Sequence, residues 1–255
     1  ALNAVLVLLI VERLSGRVQI ATVTALLFAL HPIQVEAVLW AAALKDVQSA
    51  FFFLLTVWSY LQFRSREDRR WFRVSIVTFT CAILSKVSAA PLPIALLLID
   101  AVQQRRIDRR AVIEKWPYIA ISVVGISVAL FAKSHAISAL SPLGTVLVLA
   151  KETLFLFGKV CWPTGLSVLY PQLTTPSITS LEFFVPLAFV ILALALAVYC
   201  RKKHRYVSIG IFFFILMMLP SVGSFYKNGF LFFASDRYVY LASIAVCVLI
   251  GAVVD

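Results

Sequence analysis

The chain has 255 residues, of which 62% are hydrophobic and 14% charged, with a formal net charge of +11. Soluble domains are typically ~45–50% apolar and ~25% charged, so the composition excludes a soluble globular protein. The positive charge would suggest nucleic acid in a soluble chain. Here the basic residues flank apolar runs, which speaks against nucleic acid and for a lipid bilayer as the partner.

In chain order, the apolar runs are 1–11, 18–30, 47–63, 72–85, 89–102, 116–132, 182–200, 206–220 and 238–254. The pattern predicts an all-α, polytopic transmembrane protein of about nine membrane helices in one domain, 1–255. The first run, opening at Ala1, is shorter than the ~20 residues of a span. It is therefore expected to be a clipped helix from a longer parent. Sixteen of the twenty-three Lys and Arg residues cluster at Arg13/Arg17, Arg64 to Arg73, Arg105 to Lys115 and Arg201 to Arg205. Short basic loops stay cytoplasmic, so the other seven (Lys45, Lys86, Lys133, Lys151, Lys159, Lys227 and Arg237) face outward. That parity requires a hairpin at Lys86, before Pro91 and Pro93. It also requires the run 146–160, with Lys151, Glu152 and Lys159, to be an amphipathic helix on the outer surface. Four scattered cysteines have no metal-ligand spacing and read as small core residues.

The outward-facing segments carry the residues with chemical potential. His31-Pro32-Ile33-Gln34-Val35-Glu36 ends the second run, where Pro32 breaks the helix. His31 and Glu36 read either as capping groups or as ligands, orienting groups or acid/base partners in an outer cavity. Asp46 suits the first turn of a helix, whereas Lys45 has the wrong charge for that end. Lys86 follows an arm of about fourteen residues, ~21 Å long, and so sits below the outer surface of a ~30 Å core. It either snorkels or pairs with a lipid phosphate. Arg237 opposes a helix N-terminal dipole, which Asp236 or, better, a bidentate phosphate would offset. Trp162-Pro163-Thr164-Gly165 and Tyr170-Pro171 read as interfacial turns or as a wall over a substrate cavity. No phosphate-binding Gly-rich loop, zinc site or Ser/His/Asp arrangement is visible.

Taken in order, these segments resemble a known family. Ala29-Leu30-His31-Pro32-Ile33-Gln34-Val35-Glu36-Ala37-Val38 with Lys45-Asp46-Val47 carries the likeness. Ser85-Lys86, Trp162 to Val168 with Tyr170-Pro171, and Asp236-Arg237-Tyr238-Val239-Tyr240-Leu241 support it. They resemble bacterial polytopic glycosyltransferases of the GT-C class, related to the transmembrane and tetratricopeptide-repeat-containing O-mannosyltransferases. The resemblance implies an integral protein of the bacterial inner membrane, with its active site facing outward. It would transfer a sugar, with mannose as a candidate, from a polyprenyl-phosphate donor to a protein or glycan acceptor. Lys45, Lys86 and Arg237 would bind the donor phosphate, and Glu36, Asp46 and His31 would support catalysis. Trp162, Tyr170, Asp236 and Tyr238 would wall the cavity, and a divalent metal is an optional cofactor. The family's main catalytic acid lies in an outer loop ahead of the helix beginning at Ala1, and tetratricopeptide repeats usually follow. This stretch alone is accordingly expected to be inactive. The competing expectations are a transporter or flippase of lipid-linked substrates, with charges through the depth of the spans, and a non-catalytic membrane scaffold.

Overall fold

The computed structural model describes residues 1–105, 108–132, 140–227 and 230–254, so the predicted loop cations Arg106 and Lys133 lie outside the described residues. Helix α1 (Leu2–Ser15) turns back at Gly16, whose φ of +69° is the left-handed conformation that ends helices. Helix α2 (Val18–Leu30) stops before Pro32, and the chain bends by 53° through a turn of 3-10 helix into α3 (Val35–Leu39). A long hairpin follows, α4 (Leu44–Arg66) and α5 (Arg69–Ser85), whose turn is capped by Asp68 accepting from the Arg70 N–H at 2.8 Å. After Lys86 and a second 3-10 turn come α6 (Leu92–Val102), the short α7 (Arg109–Glu114) and α8 (Trp116–Ala132). The chain continues through α9 (Pro142–Cys161), α10 (Leu181–Cys200), α11 (Arg205–Met218) and α12 (Ser243–Val254). All nine predicted apolar runs are helical. Phe53, Tyr60, Leu61, Phe79 and Tyr118 fill the interior, while α8 and α10 leave Val124, Phe131, Phe184, Leu192 and Leu196 exposed. Apolar surface of that extent on a helical bundle is a face for lipid.

Two expectations are corrected. Among the described residues only Ala41–Arg66, Leu181–Cys200 and Arg205–Val222 are long and apolar enough to cross a membrane, or four counting the bent pair 18–39 as one. The other runs are too short or too charged, so helix length does not carry nine crossings. Helix α9 does not lie on the surface. From Leu147 to Val160 only Gly158 is exposed, and Glu152 is fully buried, because both faces pack against neighbours. The molecule is otherwise helical, as the all-α expectation has it, with one small addition: β1 (Tyr170–Pro171), β2 (Tyr226–Lys227) and β3 (Phe230–Ala234) form an antiparallel sheet in the order β1-β3-β2. The aromatic-rich Phe-Leu-Phe-Phe stretch favours a strand, and the sheet fixes the chain leading into Asp236-Arg237.

The predicted sorting of loops is visible in the packing. Leu14, Ser15, Val102 and Tyr206 line one cavity, and Arg64 lies 3.7 Å from Glu114, so the basic segments gather at one end. The chain must therefore turn back between α5 and α6, as the hairpin at Lys86 requires. That end is closed by a buried network. Tyr60 donates to Asp100 at 2.8 Å, Lys115 pairs with Asp100 at 2.5 Å, and Arg105 pairs with Glu114 at 2.9 Å. Burial would raise the Glu114 carboxyl, but hydrogen bonds from Arg105 and Tyr60 outweigh it and hold the group down at about 2. A depressed carboxyl stabilises the fold above its ordinary value of 4.5, and that contribution is lost as pH falls through about 2. The unfolding temperature in detergent is expected to fall on acidification across this window, and Glu114→Gln should show a smaller fall.

Candidate functional site

At the opposite end, the break at His31-Pro32 turns the chain across the top of the bundle and brings Glu36 onto the first turn of α3. Its carboxylate accepts from Ser235 Oγ at 3.0 and 3.1 Å, from the Arg237 backbone N–H at 2.9 Å, and from the Arg237 guanidinium. The two charged side chains are only 6% and 11% exposed, so the pair is largely shielded from water. The guanidinium carbon also stands 4.7 Å over the Trp40 ring, a cation–π contact.

A second pair lies beside the first. Asp46, in the first turn of α4, accepts from Lys86 Nζ, which extends from the C-terminus of α5. Lys86 Nζ is 5.6 Å from the Tyr238 ring. Asp46 Oδ2 has no hydrogen-bond partner among the described residues. Lys86, Arg237, Asp46, Tyr238, Tyr240 and Ser221 line one cleft of about 50 Å³. That volume holds a few waters at ~10–15 Å³ each. The cleft therefore offers two cations, each already neutralised by a carboxylate, and beside them lies one buried carboxylate oxygen without a partner among the described residues. Among the described residues no three His, Cys, Asp or Glu side chains converge to hold a metal ion.

The other predicted residues have different surroundings. His31 Nε2 donates to the Val160 carbonyl at 2.8 Å and Nδ1 accepts from the Ile33 N–H at 3.2 Å, which fixes the tautomer and joins α2 to α9. Both ring nitrogens are thereby occupied. Lys45 is exposed and does not line the cleft. Of the four wall residues only Tyr238 lines it; Trp162 is 74% exposed. Asp236 is turned away, accepting from the Ser167 N–H at 2.7 Å and the Tyr170 hydroxyl at 3.0 Å. These bonds fasten the 162–171 segment to the turn that presents Arg237. Burial raises the Asp236 carboxyl, and the Tyr170 and Ser167 hydrogen bonds offset only part of that rise. Burial and the neighbouring Asp236 carboxylate raise the Tyr170 hydroxyl in turn.

Sequence reasoning did not single out Ser221 or Ser235, and it named Tyr240 only as part of the Asp236–Leu241 segment. Their one local signal is the adjacency of Ser235 and Tyr240 to the Asp-Arg-Tyr segment; Ser221 follows a proline at the end of an apolar run and has none.

The family model described as dolichyl-phosphate-mannose-protein mannosyltransferase matches residues 1–132. The chain belongs to this family. No curated protein and no solved structure matches it. The match takes in His31, Glu36, Lys45, Asp46 and Lys86 but stops short of Arg237. In this mannosyltransferase-family chain the Glu36–Arg237 pair joins the matched half to the rest.

Glu36→Ala should cost about 3 kcal/mol, the lower end for breaking a largely buried pair. Glu36→Gln should cost less, because its amide oxygen still accepts from Ser235 and the Arg237 N–H. Thermal unfolding of both variants in detergent checks the order.

Proposed function

We propose that this protein transfers mannose from a polyprenyl-phosphate donor to a protein or glycan acceptor, and that the cleft between Lys86 and Arg237 receives the donor phosphate. The observation that carries this is the pairing of two cations in one cleft at the end remote from the basic loops, in a chain of a mannosyltransferase family. The same reading puts the cleft on the extracytoplasmic side of a bacterial inner membrane, and the chain near the transmembrane and tetratricopeptide-repeat-containing O-mannosyltransferases.

Chemically, transfer breaks the bond between the sugar's anomeric carbon and the phosphate oxygen while the acceptor hydroxyl oxygen bonds to that carbon and gives its proton to a carboxylate base, and charge builds on the departing phosphate. Arg237 can accept that charge bidentately and Lys86 as a point charge. Cations fixed where charge develops stabilise the transition state more than the ground state. In the resting protein Glu36 and Asp46 hold these side chains in place, and a phosphate oxygen replaces a carboxylate oxygen on each. Asp46 Oδ2, buried at rest without a partner among the described residues, becomes available to the acceptor hydroxyl or a sugar hydroxyl once Lys86 turns to the phosphate. Lys45, exposed at the rim, steers the anionic headgroup toward the cleft. Between the two polar ends the buried residues of α4, Phe53, Leu54, Thr56, Val57 and Ser59, carry no charge, which favours a one-sided pocket over a transporter's passage.

Membranes containing the protein as its gene encodes it, supplied with labelled polyprenyl-phosphate mannose, test this directly. Arg237→Ala and Lys86→Ala, at matched expression, should each lower turnover by about 10²–10³-fold, as loss of one transition-state donor does. Turnover that persists in both would remove the cleft from the reaction.

A further inference from the structure

Glu152 is the buried acid that the two ion pairs do not use. It sits in the middle of α9 with no exposed surface, and among the described residues no cation pairs with it. Its Oε2 lies in hydrogen-bond contact with Ser221 Oγ, and its Oε1 has no hydrogen-bond partner among the described residues. Ser221 Oγ also lies 2.7 Å from the Met218 carbonyl, and Ser221 lines the cleft that holds Lys86 and Arg237.

The protonation state follows from this arrangement. An ionised carboxylate here would be fully buried, unpaired and short of hydrogen bonds, at a cost of several kcal/mol. A hydroxyl carries one proton, and the Met218 carbonyl can only accept it. If Ser221 donates to Met218, the Ser221–Glu152 bond needs a proton from the acid. A neutral Glu152 that donates from Oε2 to Ser221 satisfies every contact and leaves only a carbonyl oxygen bare.

We propose that Glu152 is a neutral carboxylic acid acting as a positioning residue for the donor phosphate, through Ser221. This rests on the phosphate assignment of the cleft made above. At rest the chain of donors runs from Glu152 to Ser221 to the Met218 carbonyl. When a phosphate oxygen enters, the Ser221 O–H turns from Met218 to that oxygen while Glu152 continues to donate to Ser221. No proton changes owner. Donation from the acid polarises the hydroxyl, and the bond strengthens as the phosphate gains charge during departure. The pair adds a donor without adding charge, in a cleft whose two cations already face two carboxylates.

Two measurements on the protein as its gene encodes it test the inference. The first is the infrared difference spectrum between wild type and Glu152→Gln at neutral pH. A carboxylic-acid carbonyl band present in wild type and lost in the variant is expected; a carboxylate band in its place overturns the proposal. The second is the kinetics of Ser221→Ala, Glu152→Ala and Glu152→Gln with polyprenyl-phosphate mannose as the varied substrate. Ser221→Ala and Glu152→Ala should each lose about tenfold in kcat/KM for the donor, the worth of one hydrogen bond, with the acceptor KM unchanged. Glu152→Gln should stay within about threefold of wild type, because its amide N–H donates to Ser221 as the acid does.

Equal damage in the Gln and Ala variants would overturn the neutral-donor role, and so would full activity in Ser221→Ala. If Arg237→Ala abolishes turnover while both Ser221→Ala and Glu152→Ala are silent, this inference fails and the phosphate cleft stands. If wild type turns over no lipid-phosphate mannose, the phosphate cleft itself fails, and the infrared band still reports the state of Glu152.

Discussion

The contact on which the site depends is the one between Glu36 and the Ser235–Arg237 turn. It spans 201 residues and brings a backbone N–H, a hydroxyl and a guanidinium onto one carboxylate. Ordering a loop costs about 1–2 kcal/mol per residue in backbone entropy, so a short turn of 3-10 helix keeps its shape only when something fixes it. Here Glu36 holds one side of the turn, and Asp236, reaching the Ser167 N–H and the Tyr170 hydroxyl, holds the other. The small sheet fastens the approach. Arg237 is thereby presented to the cleft from a segment that has little rigidity of its own.

The electrostatics of the two ends differ in kind. At the basic end, Asp100, Glu114, Arg105 and Lys115 satisfy one another through Tyr60, and the network closes the bundle. At the other end, Lys86 and Arg237 each have one carboxylate partner, and Asp46 keeps an oxygen with no hydrogen-bond partner. A saturated network resists exchange, because any intruder must replace several good bonds at once. Two separate pairs beside a small cleft can exchange one anion for another without leaving a cation bare in a low-dielectric setting. That difference makes the second end the better place for a charged, transient ligand.

Much of this was legible in the sequence because it follows from local rules. The charge clusters located both ends, Pro32 marked the break after α2, and the hairpin at Lys86 followed from the parity of the basic loops. Glu36, Asp46, Lys86 and Arg237 stood out as ionisable residues at the ends of apolar runs. Their pairing did not, since it joins residues 40 to 201 positions apart. Helix α9 misled for a physical reason: its charges read as a solvated face, yet Glu152 is buried as an acid and Lys151 turns to Glu182 at 2.5 Å and Gln172 at 2.7 Å. His31 and Tyr170 looked like site residues because polar groups near a membrane surface draw attention. Their partners, the Val160 carbonyl and Asp236, show that both side chains fasten the frame around the cleft. Asp100, near the end of a run that reads as apolar, was an overlooked sign of the inner network.

If the cleft takes the donor phosphate, that phosphate competes with Asp46 for Lys86 and with Glu36 for Arg237. Equilibrium binding of polyprenyl phosphate to the protein in lipid nanodiscs tests it most directly. Asp46→Asn should bind more tightly than wild type, because the competing carboxylate is gone, and Lys86→Met should bind more weakly. Equal affinity in all three proteins would contradict it, since neither the cation nor its carboxylate would then be in contact with the phosphate.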